Sequence, residues 1–344
     1  MTGVAVIGCG KIAQTRHIPE YAANPKAEIK GFYDLNRERA KQLAQRYGGK
    51  AYASVEELLS DDGVEAVSVC TANHTHASIS IQALKAGRHV LCEKPMATTL
   101  EECEEMTAWA QKSAKKLMIG QNQRLAKAHV RAKELLAQGM IGKVISFRTA
   151  FAHGGPEKWS IDPGKNSWFF DKKSAAMGVM ADLGVHKTDL IQYLLGSRVA
   201  ETTARLATLD KCYEDGSLID VDDNAFCIYK MSDGVMGTMR ASWTCYGEGE
   251  NHTVLYGTEG IMKIYEDPAY AIVVVKPDGE RICYDIEKIQ TNDRQTSSGV
   301  IDAFLEAIET DTTPVIDGNS VLWAMKAVFA SIRSSEQGKT IEVV

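Results

Sequence analysis

The sequence predicts an α/β domain with a doubly wound parallel sheet, followed by an α+β domain with a large, mostly antiparallel open sheet. Short apolar strands alternate with helical stretches over the first third of the chain, which is typical of a parallel sheet. After about Gly139 the strands become longer and alternate in polarity, and turns such as Ser232-Asp233-Gly234 join them directly. The length of 344 residues suits two domains. We place their boundary between residues 122 and 123.

The strands of the first domain are nearly all apolar, as expected for a sheet that is covered by helices on both faces. They are predicted at residues 4–7, 29–33, 66–70, 89–92 and 117–119. Helices are predicted at residues 37–47 and 77–86, and Gly87 suits the position that ends the second one. The repeated order of strand, helix and strand predicts the doubly wound arrangement.

The second domain is predicted to contain longer strands and three helices. The strands are expected at residues 144–152, 204–209, 225–231, 235–243, 253–257 and 271–275. One helix, at 174–195, interrupts them, and helices at 299–309 and 320–334 follow them. Such helices pack on one face of an antiparallel sheet, so the other face must be buried elsewhere. The apolar strands 225–229 and 271–275 therefore predict a homodimer or homotetramer that packs through this sheet.

The composition excludes several classes of protein. The formal net charge is −6, the hydrophobic share is 44% and the charged share is 24%, which suits a soluble globular protein without a broad nucleic-acid surface. No apolar run approaches the roughly 20 residues of a membrane helix. The first residues carry no basic leader, which predicts a cytoplasmic protein. The eight cysteines contain no C-x-x-C pair, which argues against a zinc ribbon or a disulfide framework.

Residues 8–13 form a glycine-rich turn of the type G-x-G-x-x-A, after the first strand and at the start of a helix. Gly8 permits the tight turn, Gly10 lets the backbone approach a pyrophosphate, and the small Ala13 lets the helix pack close to the strand. Lys11 and Ile12 lie at the helix N-terminus, whose amide groups bind phosphate. The turn therefore predicts a dinucleotide site.

Asp34 ends the second strand, about 20 residues beyond this turn. A carboxylate at that position binds a ribose 2′-hydroxyl and repels a 2′-phosphate, so it predicts NAD as the cofactor. The nearby Arg37 leaves NADP open, although an exposed arginine in the first helical turn is the simpler interpretation. The alternative role for Asp34 is a cap at the strand end.

Glu93-Lys94-Pro95 follows the fifth strand, at the edge of the sheet where such folds bind ligands. A lysine at this edge can hydrogen-bond a hydroxyl or carbonyl oxygen and stabilise the negative charge that develops there. A solvated surface lysine is the alternative. The sequence leaves open whether the Lys94–Pro95 peptide bond is cis.

A second group of polar residues lies on the predicted helix 174–195. Asp182 and His186 are four residues apart, so both are expected to project from one face of that helix. Asp189 follows three residues later and is expected to orient the imidazole or to stabilise its charge. Histidine is the side chain best suited to take a proton near neutral pH. The alternative is an Asp–His pair on the helix surface.

Three motifs thus occur in order: the glycine-rich turn, Glu93-Lys94-Pro95, and Asp182-x-Gly184-x-His186. Together they resemble the glucose–fructose oxidoreductase/inositol dehydrogenase (Gfo/Idh/MocA) family of NAD(P)-dependent oxidoreductases. The resemblance covers essentially the whole chain and includes residues 71–76 after the fourth strand. It implies a Rossmann domain and a catalytic set of Lys94, Asp182 and His186.

The resemblance also implies a role for each residue. His186 would accept or donate the proton, Lys94 would hold and polarise the reacting oxygen, and Asp182 would orient a neighbouring hydroxyl. The further residues implied to line the cofactor are Thr71, Asn73, His76, Glu93, Lys94 and Asn122. The residues expected to bind the substrate are Lys94, Arg124, Trp168, Asp182 and His186.

The loop of residues 151–173 precedes the catalytic helix and is expected to determine substrate specificity. Trp168 suits stacking on a sugar face, and an aromatic plug between the domains is the alternative. His153 and the turn after it are candidates for a wall of the pocket. His74 and His76 have a spacing that zinc could use, but no cysteine or acidic partner lies near, so we predict no metal.

Three functions fit these residues. The first is an NAD-dependent dehydrogenase that oxidises a secondary alcohol of a sugar, a glycoside or a cyclic polyol such as an inositol. The second is a protein that retains NAD and uses transient oxidation to cleave a glycosidic bond, by hydrolysis or elimination, without net redox change. The third is a sensor that binds dinucleotide and sugar without chemistry, and such a protein needs neither the lysine nor the histidine. We favour the first.

Overall fold

The computed structural model describes residues 1–165, 167–287 and 297–344. The first of its two sheets is fully parallel, with the strand order β3-β2-β1-β4-β5-β6. Its strands are β1 (Thr2–Ile7), β2 (Ala27–Tyr33), β3 (Lys50–Ala51), β4 (Ala66–Val69), β5 (His89–Cys92) and β6 (Leu117–Ile119). The order reverses beside β1, as in a doubly wound fold. The class predicted for the first domain is therefore confirmed.

Helices pack against this parallel sheet, and local sequence explains where several of them begin. The helices are α1 (Ile18–Ala23), α2 (Arg37–Tyr47), α3 (Val55–Ser60), α4 (His76–Lys85) and α5 (Leu100–Ser113). Side chains of Asn36, Ser54 and Thr99 cap α2, α3 and α5 by accepting a backbone hydrogen bond in the first turn. Gly87, with a φ of +74°, follows α4 as the sequence predicts.

The second sheet is open and mostly antiparallel, also as predicted. Its strand order is β14-β13-β12-β11-β7-β10-β9-β8-β15, and β7 and β10 are a parallel pair. The strands are β7 (Val144–Ala152), β8 (Val199–Ala207), β9 (Asn224–Met231), β10 (Met236–Ser242), β11 (Glu250–Gly257), β12 (Gly260–Ile264), β13 (Ile272–Val275), β14 (Arg281–Tyr284) and β15 (Ile341–Glu342).

The described residues of this part of the chain form five further helices: α6 (Lys127–Ala137), α7 (Lys172–Ala175), α8 (Val185–Leu195), α9 (Val300–Glu309) and α10 (Gly318–Gln337). The long α10 packs on β8 and α8, and it also contacts α5 and β6 of the first domain. The N–H of Ile119 in β6 donates to the carbonyl oxygen of Ile316 at 3.0 Å. The later part of the chain therefore covers the outer edge of the parallel sheet.

The prediction of a single helix at residues 174–195 is wrong. The short α7 ends at Ala175, Ala176 adopts a φ of +64°, and a turn of π-helix (Met180–Gly184) precedes α8. Asp222 interrupts the helix because its carboxylate accepts the N–H groups of Gly178 and Met180. A Cβ atom on Gly178 would lie 1.9 Å from the carbonyl oxygen of Asp222, so this approach requires glycine.

No helix in the described ranges combines the length and the apolar character that a membrane span requires.

Candidate active site

A cleft of about 1460 Å³ lies between the two domains. On one side the loops at the carboxyl ends of β1, β2, β4 and β5 line it, and on the other side the segment before α8 and the residues after β7 do so. This is the edge at which doubly wound sheets bind their ligands. Most of the residues expected for the cofactor, and all three expected for catalysis, therefore face one common space.

The glycine-rich turn opens on this cleft through Gly8, Gly10, Lys11 and Ile12. Gly8 has a φ of +88°, and a Cβ atom on it would lie 2.7 Å from the backbone of Cys70. Nothing lies within 4 Å of a Cβ atom built on Gly10, which leaves its backbone open to a ligand. Ala13 is fully buried behind the turn, where its small size lets the chain pack against the sheet. These features fit the pyrophosphate of a dinucleotide.

Asp34 lies at the far end of the cleft, after β2. Its Oδ2 accepts the N–H of Cys9 at 2.7 Å, and its Oδ1 accepts the N–H of Asn36 at 2.7 Å. The structure corrects the expectation for Arg37, which is exposed and does not line the cleft. Arg39 takes its place, with Nη1 3.8 Å from Asp34 Oδ1. The asparagine cap before α2 sets the rotation of the helix and turns residue 39, not 37, towards Asp34.

Lys94 and Asp182 form the contact that joins the two sides of the site. Lys94 Nζ lies 2.7 Å from Asp182 Oδ1, and it also donates to the carbonyl oxygen of Asp182 at 3.1 Å. The other oxygen, Oδ2, accepts the indole N–H of Trp243 at 3.0 Å. Burial alone would raise the pKa of Asp182, but the charge of Lys94 and the two hydrogen bonds lower it below its ordinary value. The Lys94–Pro95 peptide bond is cis.

His186 is the second residue of α8, one turn beyond Asp182, and its ring lines the same cleft. Only 7% of the residue is exposed. Burial and the nearby charge of Lys94 lower the pKa of His186 to about 3, so the imidazole is neutral at physiological pH. Its Nδ1 has no hydrogen-bond partner among the described residues. The imidazole is therefore not committed to a structural contact through that nitrogen.

The expected contact between His186 and Asp189 is wrong. Asp189 instead forms a bidentate ion pair with Arg124: Nε lies 2.7 Å from Oδ2, and Nη2 lies 2.5 Å from Oδ1. Arg124 also donates to Ser320 Oγ at 3.0 Å. The guanidinium stays charged and is buried away from the cleft, so it needs a buried carboxylate. The substrate-binding role expected for Arg124 is thereby corrected: the pair joins the turn after β6 to α8 and α10.

Glu93 lines the cleft beside Lys94 and is 6% exposed. Its Oε1 lies 2.8 Å from His17 Nε2, and its Oε2 accepts the N–H of Lys94 at 3.2 Å. Burial would raise the pKa of Glu93, but His17, Arg16 and Lys94 lower it to about 2. The carboxylate is therefore ionised, and His17 is a supporting residue that sequence analysis missed.

Thr71 and Asn73 line the cleft on the loop after β4, His76 lines it from the first position of α4, and Asn122 lines it after β6. His76 is buried, with Nδ1 2.7 Å from the carbonyl oxygen of Pro95. Burial lowers the pKa of His76, so its neutral ring donates this hydrogen bond and links the start of α4 to the segment after β5. Asn73 uses its amide nitrogen to bind the carbonyl oxygen of Ala175 at 2.9 Å.

The loop before the catalytic segment forms an aromatic wall of the cleft; of its residues, Asn166 lies outside the described ranges. Trp168 stacks on Phe169 with a centroid separation of 4.0 Å and an interplanar angle of 25°. Trp159 contacts Phe169 edge-on at 6.4 Å, and all three rings line the cleft. His153 also lines it, and its Nδ1 accepts the N–H of Gly155 at 3.0 Å. Such a wall suits the apolar face of a sugar ring.

Within the described residues, no three His, Cys, Asp or Glu side chains gather in an arrangement that could hold a metal ion. The two histidines considered for zinc are engaged elsewhere: His74 Nδ1 lies 3.1 Å from the carbonyl oxygen of Ser174, and His76 contacts Pro95.

Trp243 and Asp222 are further residues that sequence analysis missed. The apolar end of the predicted strand 235–243 gave no sign that its tryptophan would reach a carboxylate. Asp222 follows a polar stretch with no regular pattern, so nothing marked it as the residue that shapes the start of the catalytic segment.

Comparison with known proteins shows the family to which the chain belongs. A family model described as an oxidoreductase family with an NAD-binding Rossmann fold, GFO_IDH_MocA, matches residues 2–121, and its C-terminal domain model matches residues 129–263. A 1,5-anhydro-D-fructose reductase of Ensifer adhaerens is 27% identical over 98% of this chain and 97% of its own length.

Two further relatives agree with this assignment. A levoglucosan dehydrogenase of Pseudarthrobacter phenanthrenivorans is 30% identical over 75% of this chain and 72% of its own length. The solved structure of GenD2 from gentamicin A biosynthesis, in complex with NAD, is 26% identical with a TM-score of 0.83, and the match covers 100% of this chain and 96% of that chain.

Proposed function

Because the chain belongs to the GFO/IDH/MocA family of oxidoreductases, we propose that it transfers hydride between NAD and a secondary alcohol of a sugar, a glycoside or a cyclic polyol. One observation carries the proposal. The Lys94–Asp182 pair and the neutral ring of His186 face the same cleft as the glycine-rich turn. The relatives named for anhydrofructose and levoglucosan support a carbohydrate substrate.

Lys94 binds the oxygen of the reacting alcohol. Its ammonium is held by Asp182 from the second domain, so its direction is fixed before a substrate arrives. A positive charge at this position stabilises the negative charge that grows on the oxygen during oxidation. Both oxygens of Asp182 already accept hydrogen bonds. We therefore assign Asp182 chiefly to the positioning of Lys94, in place of the hydroxyl-orienting role implied by the resemblance.

His186 moves the hydroxyl proton. In the oxidation the imidazole accepts that proton and passes it on to water, while the C–O single bond becomes a carbonyl. In the reduction a proton from water returns through the ring to the carbonyl oxygen. Bound NAD supplies the hydride acceptor for the oxidation and, in its reduced form, the donor for the reverse. The low pKa of the ring ensures that it is unprotonated when the alcohol binds.

Turnover of carbohydrates with NAD tests the proposal. Purified protein with NAD and a panel of inositols, monosaccharides and methyl glycosides should produce reduced nicotinamide and a ketone with at least one substrate. Lys94→Met and His186→Phe should each lower kcat/KM by about 10²–10⁴-fold, because each removes a group that acts on the reacting oxygen or its proton. NADH affinity, followed by fluorescence, should stay within about threefold.

Lys41→Met, on the exposed surface of α2, is the matched control and should leave kcat/KM unchanged. Full activity of the Lys94 variant would contradict the proposal. Release of a sugar without accumulation of reduced nicotinamide would favour cleavage of a glycosidic bond instead. Sugar binding without either reaction would favour a sensor.

We also propose a homo-oligomer, a dimer or tetramer, that packs through the open sheet against a second copy of the chain. Phe226 and Ile228 of β9 support it, since they are 48% and 51% exposed on adjacent outward positions of one strand. The apolar strand predicted at residues 271–275 does not support the oligomer, because Ile272, Val273 and Val274 of β13 are buried within the chain itself. Phe226→Glu should convert the oligomer to monomer, as measured by light scattering; a monomeric wild-type protein would contradict this.

For location we propose the cytoplasm, a reducing compartment that contains NAD. The eight cysteines all fall in the described ranges and are all unpaired, which suits such a compartment.

A further inference from the structure

The loop after β4 contacts the segment that leads into the catalytic residues of the other domain. Asn73 Nδ2 donates to the carbonyl oxygen of Ala175 at 2.9 Å, and His74 Nδ1 lies 3.1 Å from the carbonyl oxygen of Ser174. Both acceptors belong to the last turn of α7, whose carbonyl groups have no partner within the helix. The cofactor side of the cleft therefore supplies the hydrogen bonds that end this helix.

Ala176, the next residue, adopts an unfavourable backbone conformation, with a φ of +64° and a ψ of −40°. A residue with a Cβ atom keeps such a conformation only where its surroundings impose it. Contacts impose it from both sides here. Asn73 and His74 hold the chain before Ala176, and Asp222 holds the chain after it through the N–H groups of Gly178 and Met180.

Ala176 forms a strained junction between the loop after β4 and the catalytic side chains. Asn73 lines the cleft with Thr71, so a ligand in the NAD site restrains this loop. Met177, Gly178 and Asp182 line the same cleft further on. Any displacement of the junction changes the start of the π-helical turn that carries Asp182 and precedes His186.

We propose that Asn73 and His74 are positioning residues that couple occupancy of the NAD site to the placement of Asp182 and His186. This rests on the proposed function of the site. Binding of the cofactor restrains the loop, the loop holds the strained junction, and the junction sets the catalytic groups. Because coupling between two sites is reciprocal, cofactor binding then strengthens substrate binding, and the substrate strengthens cofactor binding by the same factor.

Hydrogen–deuterium exchange with NADH as the probe tests this coupling without any substrate. In the wild-type chain, saturating NADH should slow exchange of amides in residues 176–186 by at least about fivefold. Asn73→Ala and His74→Ala should each abolish most of this effect when both are measured at saturating NADH. His74 is exposed, so its variant folds even where loss of the buried Asn73 amide does not.

Relief of the strain supplies a second arm. Ala176→Gly, with Asn73 and His74 intact, should lower the NADH-induced protection by at least half, because glycine adopts the junction conformation without strain and no longer needs the loop to impose it. Ser78→Ala, in the first turn of α4, is the matched control and should behave as wild type.

Full protection by NADH in the Asn73→Ala and His74→Ala chains would overturn the proposal, as would full NADH-induced protection in the Ala176→Gly chain. These outcomes differ from failure of the proposed function. A wild-type chain that oxidises none of the carbohydrates in the panel would remove the reaction but leave the exchange result intact.

Discussion

Trp243 and Lys94 hold the two carboxylate oxygens of Asp182 from opposite domains. The indole N–H of Trp243 donates to Oδ2 at 3.0 Å, and the ammonium of Lys94 lies 2.7 Å from Oδ1. Trp243 is fully buried at the end of β10, and Phe170 packs against it at 5.8 Å. The sheet of the second domain thus determines the direction of a lysine that belongs to the first.

Trp243→Phe should lower kcat/KM by about tenfold, because it removes a hydrogen bond to a charged group but keeps an aromatic ring in the core. The loss should also raise the pKa of Asp182, since that hydrogen bond is one of the contacts that lower it. The acid limb of the pH profile of kcat/KM is then expected at higher pH. Trp109→Phe, on the surface of α5, is the control. An unchanged acid limb would show that the indole does not act on Asp182.

Arg124→Met should destabilise the protein by about 3–5 kcal/mol, because it leaves the carboxylate of Asp189 buried and unpaired. Urea unfolding followed by circular dichroism measures this free energy. Arg131→Met breaks an exposed pair with Glu134 and should cost below about 1 kcal/mol. A rise in substrate KM without loss of stability would instead restore the substrate-binding role.

His129 should contribute to acid unfolding. Burial, with the charge of Lys187 as a smaller cause, lowers the pKa of His129 to about 3 in the folded chain, against about 6.5 when unfolded. Below about pH 6.5 the imidazole of His129 therefore binds a proton in the unfolded chain but not in the folded chain. The free energy of unfolding decreases as the pH falls below that value. His129→Gln should lose about 2 kcal/mol less stability than wild type between pH 7 and pH 5. An equal loss in both chains would contradict this.

Asp34→Ser should shift cofactor preference towards NADPH. The substitution removes a charge that repels a 2′-phosphate, while Arg39 remains beside the site to attract it. We expect the ratio of NADPH to NADH affinity to rise by about tenfold or more in fluorescence titrations. Asp162→Ser removes a second carboxylate near Arg39 without touching Asp34, and it should change the ratio little. An unchanged ratio in the Asp34 variant would assign that residue to the strand end alone.

The glycine-rich turn and Lys94 could be predicted because parallel strands place all their carboxyl ends at one edge of the sheet. Residues after β1, β4 and β5 must therefore lie close together, whatever the rest of the chain does. The spacing of Asp182 and His186 predicts one shared helix face, and both side chains line one cleft, although Asp182 lies in a π-helical turn and His186 lies in α8.

The partners of Arg124 and Asp189 could not be predicted, because their contact depends on how α8 packs against the turn after β6. Nothing local in either segment specifies that packing. The choice of Arg39 over Arg37 differs in kind, since Asn36 is a readable helix cap and fixes which side of α2 faces the cleft.

The packing of Ile316 and α10 over β6 has a consequence for biosynthesis. The N–H of Ile119 in β6 donates a hydrogen bond to the carbonyl oxygen of Ile316, and α10 also packs against β6. A ribosome makes the parallel sheet first, so one edge of this sheet stays uncovered until Ile316 and α10 have been translated. Exposed strand edges recruit other chains. A truncated product that stops near residue 122 should thus aggregate rather than persist as an autonomous nucleotide-binding module.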